Sequence, residues 1–192
     1  GGLGQWAARL WWLFRSFGKD DVAVLDGGLT AWKAEGRAVD LGHVEPIPAA
    51  LTLKERPHLW VDKAYVEGVL AGEHEAALVC AIPRPEFTGE RSPRPRAGHI
   101  PGSSSAPAAT LVDRERRTFL DRDALSGILA PALGAPRIIC YCHGGIAAAS
   151  AALALTLLGE ESVAIYDGSL SEWAADPEAP LATTADAASD AA

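Results

Sequence analysis

We predict an α/β fold organised around a parallel sheet, because two kinds of segment alternate along the chain. Short apolar runs that suit buried strands are followed by longer segments with helical period, and glycines or Asp-Gly pairs separate them. The clearest unit covers residues 137–158, where an apolar strand leads through Cys142 and two glycines into an alanine-rich helix. Strand–loop–helix units of this kind build parallel sheets.

The first 40 residues contain signals for two helices and a strand. Residues 5–17 are rich in alanine, leucine and tryptophan, and the glycine that follows them is typical of a helix C-terminus. Residues 22–25 form a short apolar run between acidic and glycine-containing turns, which predicts a buried strand. A short helix is expected over residues 29–33.

The second part of the chain continues the alternation of helices and strands. Asp62 is the predicted N-cap of one helix, and Asp121 or Asp123 is the predicted start of another. Residues 83–101 contain several prolines and arginines and are expected to form a long loop. The predicted helices cover residues 63–70, 121–133, 147–158 and 170–174, and the predicted strands cover residues 76–80, 137–141 and 162–166.

The composition restricts the classes of function that fit the chain. A net charge of −8 without a basic patch argues against nucleic acid as the partner, and no apolar run reaches membrane-spanning length. Three cysteines are an odd count that does not suggest a disulfide framework, so we expect a reducing, cytoplasmic location. No second Cys/His pair at zinc spacing accompanies Cys140 and Cys142, which predicts no metal. The glycine fingerprint of nicotinamide and flavin sites is missing, so no cofactor is expected.

A repeat with an offset of 141 residues relates the two ends of the chain. Residues 22–32 match residues 163–173 in an apolar run, an Asp-Gly turn and a segment that ends in tryptophan. The register continues backwards without a gap, so that Gly18 lies opposite Gly159 and Gly4 opposite Gly145. Residue 1 then lies opposite Cys142, and the first copy begins within its own loop.

The repeat predicts two structural units of unequal completeness. We expect residues 1–40 to be the C-terminal remnant of one domain, residues 41–57 a linker with an extended segment near its end, and residues 58–182 a complete domain. Residues 183–192 are small and acidic and are expected to be a disordered tail. The chain has no methionine, as expected of a processed product or a piece of a longer protein. Either the chain is a fragment that leaves the aromatic residues of the remnant exposed, or these residues pack on the complete domain.

Cys142 is the candidate nucleophile of the chain. A cysteine at the start of a helix lies beneath backbone N–H groups that have no helical partner, and the positive end of the helix dipole favours an anion there. A buried structural cysteine is the alternative interpretation. Two glycines allow the loop after Cys142 to curl. The backbone N–H groups expected to bind the substrate belong to His143, Gly144, Gly145, Ile146 and Ala147.

Three segments, residues 96–102, 142–147 and 163–173, resemble the rhodanese family of sulfurtransferases in its tandem two-domain form. The resemblance implies a rhodanese-like three-layer domain with a central parallel sheet, preceded by the C-terminal part of a second, inactive rhodanese-like domain. It also implies that Cys142 takes sulfane sulfur from thiosulfate or 3-mercaptopyruvate as a persulfide. The sulfur then passes to cyanide or a thiol acceptor, so the implied partners are a small anionic donor and that acceptor.

The chain departs from the family pattern at several positions. Members commonly read Asp-Ala-Arg where this chain has Cys80-Ala81-Ile82, so an acid and an arginine are replaced. Mercaptopyruvate-preferring members carry serine at the position of Gly144, and thiosulfate-preferring members often carry basic residues there and just before it. The donor is therefore undecided. Arg84 and Arg96 are candidate anion-attracting residues, with Arg91 and Arg94 beside them, and a solvated loop is the alternative for all four.

Two further side chains and two further functions stay open. His143 is either a general base or a loop side chain that faces solvent. Cys80 either fills the corner left by the missing acid or resolves an oxidised Cys142. A non-catalytic binding or regulatory module is the alternative function. A cysteine phosphatase is disfavoured, because its arginine, six positions after the cysteine, is replaced here by Ala148.

Overall fold

A parallel sheet lies at the centre of the computed structural model, which describes residues 4–183. Its five strands are β1 (Trp60–Val61), β2 (Ala77–Cys80), β3 (Ser104–Ser105), β4 (Ile138–Tyr141) and β5 (Val163–Tyr166). They are ordered β1-β5-β4-β2-β3, and every pair is parallel. The predicted α/β fold with a central parallel sheet is therefore confirmed.

The described residues also form seven α-helices, of which the third to the sixth connect successive strands of the sheet. They are α1 (Gln5–Ser16), α2 (Gly28–Ala34), α3 (Lys63–Leu70), α4 (Arg84–Phe87), α5 (Arg122–Leu129), α6 (Ile146–Leu158) and α7 (Ser169–Trp173). Two of them begin at aspartate caps: Asp62 accepts from the N–H of Tyr65, and Asp121 accepts from the N–H of Ala124, each at 2.9 Å. Asp121 rather than Asp123 therefore starts α5. No helix of the described residues is long and apolar enough to cross a membrane.

Several sequence-based expectations about local structure are wrong. Residues 22–25 belong to no strand, because a strand needs a neighbouring strand to pair with and the described chain brings none to them. The expected loop 83–101 contains α4, and the helix expected to reach residue 133 ends at Leu129 in a 3₁₀ turn that contains Pro131. Strands β1 and β3 were not predicted, because two residues carry no periodicity.

The core is formed by the two central strands and the helix that follows the cysteine loop. Every residue of β4 and β5 is buried, and α6 is buried along most of its length. Helix α1 lies along α6 and buries Ala8, Trp12 and Ser16. The alanines of α6 allow this close approach, since they place no long side chain between the helices. The N-terminal segment thus packs on the sheet domain.

Helices α1 and α6, which the 141-residue repeat places opposite each other, share the backbone geometry of their ends. Helices α1 and α6 begin at residues 5 and 146, each after a left-handed glycine: φ is 78° at Gly4 and 75° at Gly145. Their C-termini are closed by Gly18 and Gly159, at φ 84° and 100°. The division into a remnant, a linker and a complete domain stays a prediction. Residue 1, opposite Cys142, and residues 184–192 of the expected acidic tail lie outside the described residues.

Candidate active site

Cys142 lies at the carboxyl edge of the sheet, directly after the central strand β4. In open parallel sheets this edge is where ligands bind. The side chain is buried, with the residue only 2% exposed. All three cysteines are free, so no disulfide ties up the thiol of Cys142.

Two of the loop's N–H groups are bound by one serine, and four others are not bound by protein. The N–H groups of Cys142 and Gly145 both donate to the Oγ atom of Ser169, at 3.1 Å each. Four further residues, in the loop and at the start of α6, have backbone N–H groups that donate no hydrogen bond to any protein acceptor within residues 4–183. These four are His143, Gly144, Ile146 and Ala147. They form a set of unpaired donors at a helix N-terminus, which suits an anion.

Ser169 was missed by sequence reasoning. It is fully buried at the start of α7, and its hydroxyl donates to the carbonyl of Tyr166 at 2.8 Å. Its φ of 51° lies in the left-handed region, which is uncommon for a residue other than glycine. The repeat carried a usable signal, because the first copy has Gly28 at the equivalent position.

The carbonyl groups of the loop point toward α7. The N–H of Leu170 donates to the carbonyl of Cys142 at 3.0 Å, and the N–H of Ser171 donates to that of His143 at 2.9 Å. The hydroxyl of Ser171 also donates to the carbonyl of His143, at 2.5 Å. The loop is therefore anchored to the β5–α7 turn twice: its carbonyl groups accept from α7, and its N–H groups at Cys142 and Gly145 donate to Ser169.

Arg9 connects α1 to the end of the cysteine loop. Its Nη1 atom lies 2.5 Å from the Oδ1 atom of Asp167 and donates to the carbonyl of Gly145 at 3.3 Å. Its guanidinium also lies over the ring of Trp60, 4.8 Å from the centroid. The N-terminal segment therefore contacts the candidate active site directly, which no sequence signal had indicated.

His143 contacts charged side chains through both ring nitrogens. Its Nε2 atom lies 3.0 Å from the Oε2 atom of Glu86, and its Nδ1 atom contacts the guanidinium of Arg94. An arginine can only donate, so Nδ1 accepts and the proton of the neutral ring resides on Nε2, facing Glu86. Burial and then Arg94 lower the pKa of His143, while Glu86 opposes them. Neither nitrogen is left to serve as a general base.

Among the arginines of residues 83–101, Arg94 is the one bound to the cysteine loop. It is half-buried, and its Nε atom has no hydrogen-bond partner among the described residues. Burial lowers the pKa of Arg94, whereas the charge of Glu86 raises it. The thiols of Cys80 and Cys142 raise it further only when they are ionised, so the guanidinium lies within electrostatic range of both. An unpaired donor beside a nucleophile suits an anionic substrate.

The two arginines predicted to attract anions occupy different positions. Arg84 is exposed and lines an open cleft of about 480 Å³ together with His143 and Ala147. Arg96 donates to the carbonyl of Ala179 at 2.6 Å and to that of Asp176, so its guanidinium is bound to the main chain after α7. The anion-attracting role of both residues stays a prediction.

The other two cysteines lie inside the sheet. Burial raises the pKa of the Cys80 thiol to about 12, and burial raises that of Cys140 as well. Both thus remain neutral thiols at physiological pH and are poor nucleophiles. Cys80 is paired in register with Tyr141, the residue directly before Cys142, and its role stays a prediction.

Residues 75–176, more than half of the chain, match the Rhodanese family, described as a rhodanese-like domain. The chain belongs to the rhodanese family. The match includes β2 to β5, the cysteine loop and the turn that carries Ser169. The predicted family membership is thereby confirmed, and so is the rhodanese-like fold.

The chain is similar to curated sulfurtransferases. It is 38% identical to the probable 3-mercaptopyruvate sulfurtransferase of Pseudomonas aeruginosa, over 95% of this chain and 65% of that one. It is 35% identical to the 3-mercaptopyruvate sulfurtransferase of Escherichia coli K12, over 91% and 63% of the two chains. It therefore spans less than two thirds of the length of these relatives.

Solved structures of EanB share the fold. A complex of an EanB variant with ergothioneine superposes with a TM-score of 0.83 at 28% identity, covering 95% of this chain and 46% of that one. A second EanB structure, described as a cysteine persulfide in a tetrahedral intermediate state with ergothioneine, superposes with a TM-score of 0.83 at 27% identity. The coverage again shows that this chain matches part of a longer protein.

Proposed function

We propose that the chain is a sulfurtransferase that moves sulfane sulfur from thiosulfate or 3-mercaptopyruvate to cyanide or a thiol through a persulfide on Cys142. The observation that carries the proposal is the placement of Cys142, buried at the carboxyl edge of the sheet beside four N–H groups without a protein acceptor. Membership of the rhodanese family and the names of the curated relatives support it.

The reaction follows from this placement in two steps. The Cys142 thiolate attacks the transferable sulfur of the donor. With thiosulfate the sulfur–sulfur bond breaks and sulfite leaves; with 3-mercaptopyruvate the carbon–sulfur bond breaks and the enolate of pyruvate leaves, which takes a proton from water. The unpaired N–H groups of the loop stabilise the negative charge of the resulting persulfide. In the second step, cyanide or a thiolate attacks the outer sulfur, and the Cys142 thiolate is regenerated.

The donor is a small anion, and Arg94 is suited to bind it. Its guanidinium is held by His143 at the rim of the loop and retains an unpaired Nε donor. The corner Cys80-Ala81-Ile82 supplies no arginine, and Arg94 is a positive charge within electrostatic range of Cys142. This supports an anionic donor without deciding between thiosulfate and 3-mercaptopyruvate.

Mass spectrometry after incubation with each donor tests the proposal. We expect the mass to increase by one sulfur and peptide mapping to locate it on Cys142. We expect Cys142→Ser to abolish transfer to cyanide and His143→Ala to lower it only several-fold, since both ring nitrogens of His143 contact other side chains. Equal losses in the two variants would contradict this assignment of roles.

A non-catalytic binding or regulatory module is the second candidate function. The specific observation in its favour is the Cys80-Ala81-Ile82 corner, where a neutral thiol replaces the usual acid. Absence of a persulfide with either donor, in a chain whose Cys142 thiol still reacts with iodoacetamide, favours this module over the enzyme. A cytoplasmic location also remains our proposal, supported by the three free cysteines.

A further inference from the structure

We propose that Ser169 is the positioning residue of the Cys142 nucleophile: its hydroxyl binds the first and last N–H groups of the cysteine loop and thereby leaves the others directed at the sulfur. The inference deepens the proposed function and depends on it for the reaction that is positioned. Ser169 itself contacts backbone groups only, so its effect on chemistry is transmitted through the loop.

Three hydrogen bonds determine the position of the hydroxyl. It accepts from the N–H groups of Cys142 and Gly145 at 3.1 Å each and donates to the carbonyl of Tyr166 at 2.8 Å. The two acceptor lone pairs and the one proton of a hydroxyl are thus all used. Because Ser169 is fully buried, water is not available to replace these bonds.

The backbone shows that the hydroxyl is kept at an energetic cost. Ser169 has a φ of 51°, where glycine is the residue without strain. The first copy of the repeat has glycine at this place, with a φ of 57° at Gly28. The residue opposite Cys142 in that copy is glycine too. The strained serine therefore occurs in the copy that has the cysteine, and the relaxed glycine occurs in the copy that lacks it.

Loss of the hydroxyl is expected to change the loop rather than the fold. Two buried N–H groups would lose their acceptor, and the loop would rotate to find new partners for them. Rotation of Cys142 and Gly145 moves the neighbouring donors away from the sulfur, so the thiolate and the persulfide are stabilised less well. Small displacements of a reacting group lower rates by about 10- to 100-fold.

The variants Ser169→Gly and Ser169→Ala separate this role from a purely structural one. Both lack the hydroxyl, but glycine also relieves the backbone strain that alanine retains. Ser171→Ala is the matched control, because it removes a hydroxyl that bonds the carbonyl of His143, which the N–H of Ser171 continues to bind. The measurements are the thermal midpoint, the single-turnover rate of persulfide formation and the pH profile of alkylation by iodoacetamide.

We expect Ser169→Gly to unfold at a higher temperature than Ser169→Ala, while both slow persulfide formation by about 10- to 100-fold. Both also move the alkylation profile to higher pH. Ser171→Ala changes rate and profile less than either variant, because the N–H of Ser171 still binds the carbonyl of His143. The inference is overturned if Ser169→Gly forms the persulfide at the wild-type rate and keeps the wild-type alkylation profile. It is also overturned if the loss of rate in each variant is proportional to the decrease in its thermal midpoint. Alkylation requires no sulfur donor, so its profile decides the role of Ser169 even if neither donor forms a persulfide and the proposed function fails.

Discussion

At the scale of single residues, the geometry around His143 decides between the two roles expected for it. Its Nδ1 atom accepts from Arg94 and its Nε2 atom faces Glu86 at 3.0 Å, so the ring connects a cation to an anion. A general base needs a free lone pair near the proton that it takes, and this ring has none. His143 is therefore better suited to hold Arg94 over the loop than to move protons.

The pKa of His143 predicts a loss of stability in acid. Burial and the charge of Arg94 hold this pKa below the ordinary value of 6.5, and Glu86 opposes the shift. The unfolded chain therefore takes up the proton first, and the stability contributed by the neutral ring is present above about pH 6.5 and is lost as the pH falls below it. We expect urea unfolding between pH 5 and pH 8 to show a steeper acid decline in wild type than in His143→Gln. Parallel declines would contradict the shift.

Arg94 is expected to control affinity for the donor. Its replacement in Arg94→Gln removes a charged donor beside Cys142, and we expect kcat/KM for thiosulfate to fall about tenfold or more, mainly through KM. Arg84→Gln is the control, because Arg84 is exposed at the cleft, whereas Arg94 is the arginine that contacts the ring of His143. A larger effect at Arg84 than at Arg94 would reverse our assignment.

At the scale of secondary-structure elements, the junction between β4 and α6 determines where the thiol lies. The loop has to turn sharply at Gly145, whose left-handed backbone starts α6. A Cβ atom at this position would lie 2.2 Å from the Oδ1 atom of Asp167 and 2.7 Å from the Nη1 atom of Arg9. Glycine is therefore required here both by φ and by the close approach of the ion pair.

The two glycines of the loop are expected to differ in their tolerance of a side chain. Gly145→Ala should destabilise the protein by at least ~1 kcal/mol, because the backbone is left-handed and the Arg9–Asp167 pair has to move. Gly144→Ala should cost less than ~0.5 kcal/mol, since its added Cβ atom meets nothing within 4 Å. Urea denaturation of the two variants measures the difference, and equal costs would show that the loop adapts more freely than its contacts indicate.

At the scale of the whole molecule, the N-terminal segment is part of the packed structure. Helix α1 covers α6, which is apolar on most of its surface, and Arg9 extends from α1 to the cysteine loop. Residues 54 and 56 return to the end of α1 through N–H bonds to the carbonyls of Phe17 and Ser16, at 2.9 and 2.7 Å. The segment expected to be a domain remnant therefore contributes to the stability and the site of the sheet domain.

A pair of tryptophans on α1 tests this contribution. Trp12 is 1% exposed at the contact with the core, whereas Trp6 on the same helix is 66% exposed. We expect Trp12→Ala to lower the free energy of unfolding by ~3–5 kcal/mol and Trp6→Ala to change it by less than ~0.5 kcal/mol. Chemical denaturation monitored by circular dichroism measures both. A small effect at Trp12 would show that α1 is not packed on α6 in solution.

The local parts of the fold were predictable because their signals are local. Helix α3 begins after Asp62, α6 ends before Gly159, and β4 leads into Cys142, as the sequence indicates. Caps, apolar periodicity and glycine positions act between residues a few places apart, so they can be read without a tertiary structure. The family resemblance of the cysteine loop belongs to this class as well.

The contacts that complete the site were decided by tertiary structure alone. Ser169, Arg94 and Arg9 lie 27, 49 and 136 residues from their partners in the loop, and no local pattern reports such distances. The same reason explains why the strand predicted at residues 22–25 does not form. Its apolar run suits a sheet, but no described segment pairs with it. By itself the sequence determined the α/β fold, the nucleophile candidate and the helix that begins beside it. Only packing between distant segments determined which N–H donors of the cysteine loop have a protein acceptor and which have none among residues 4–183.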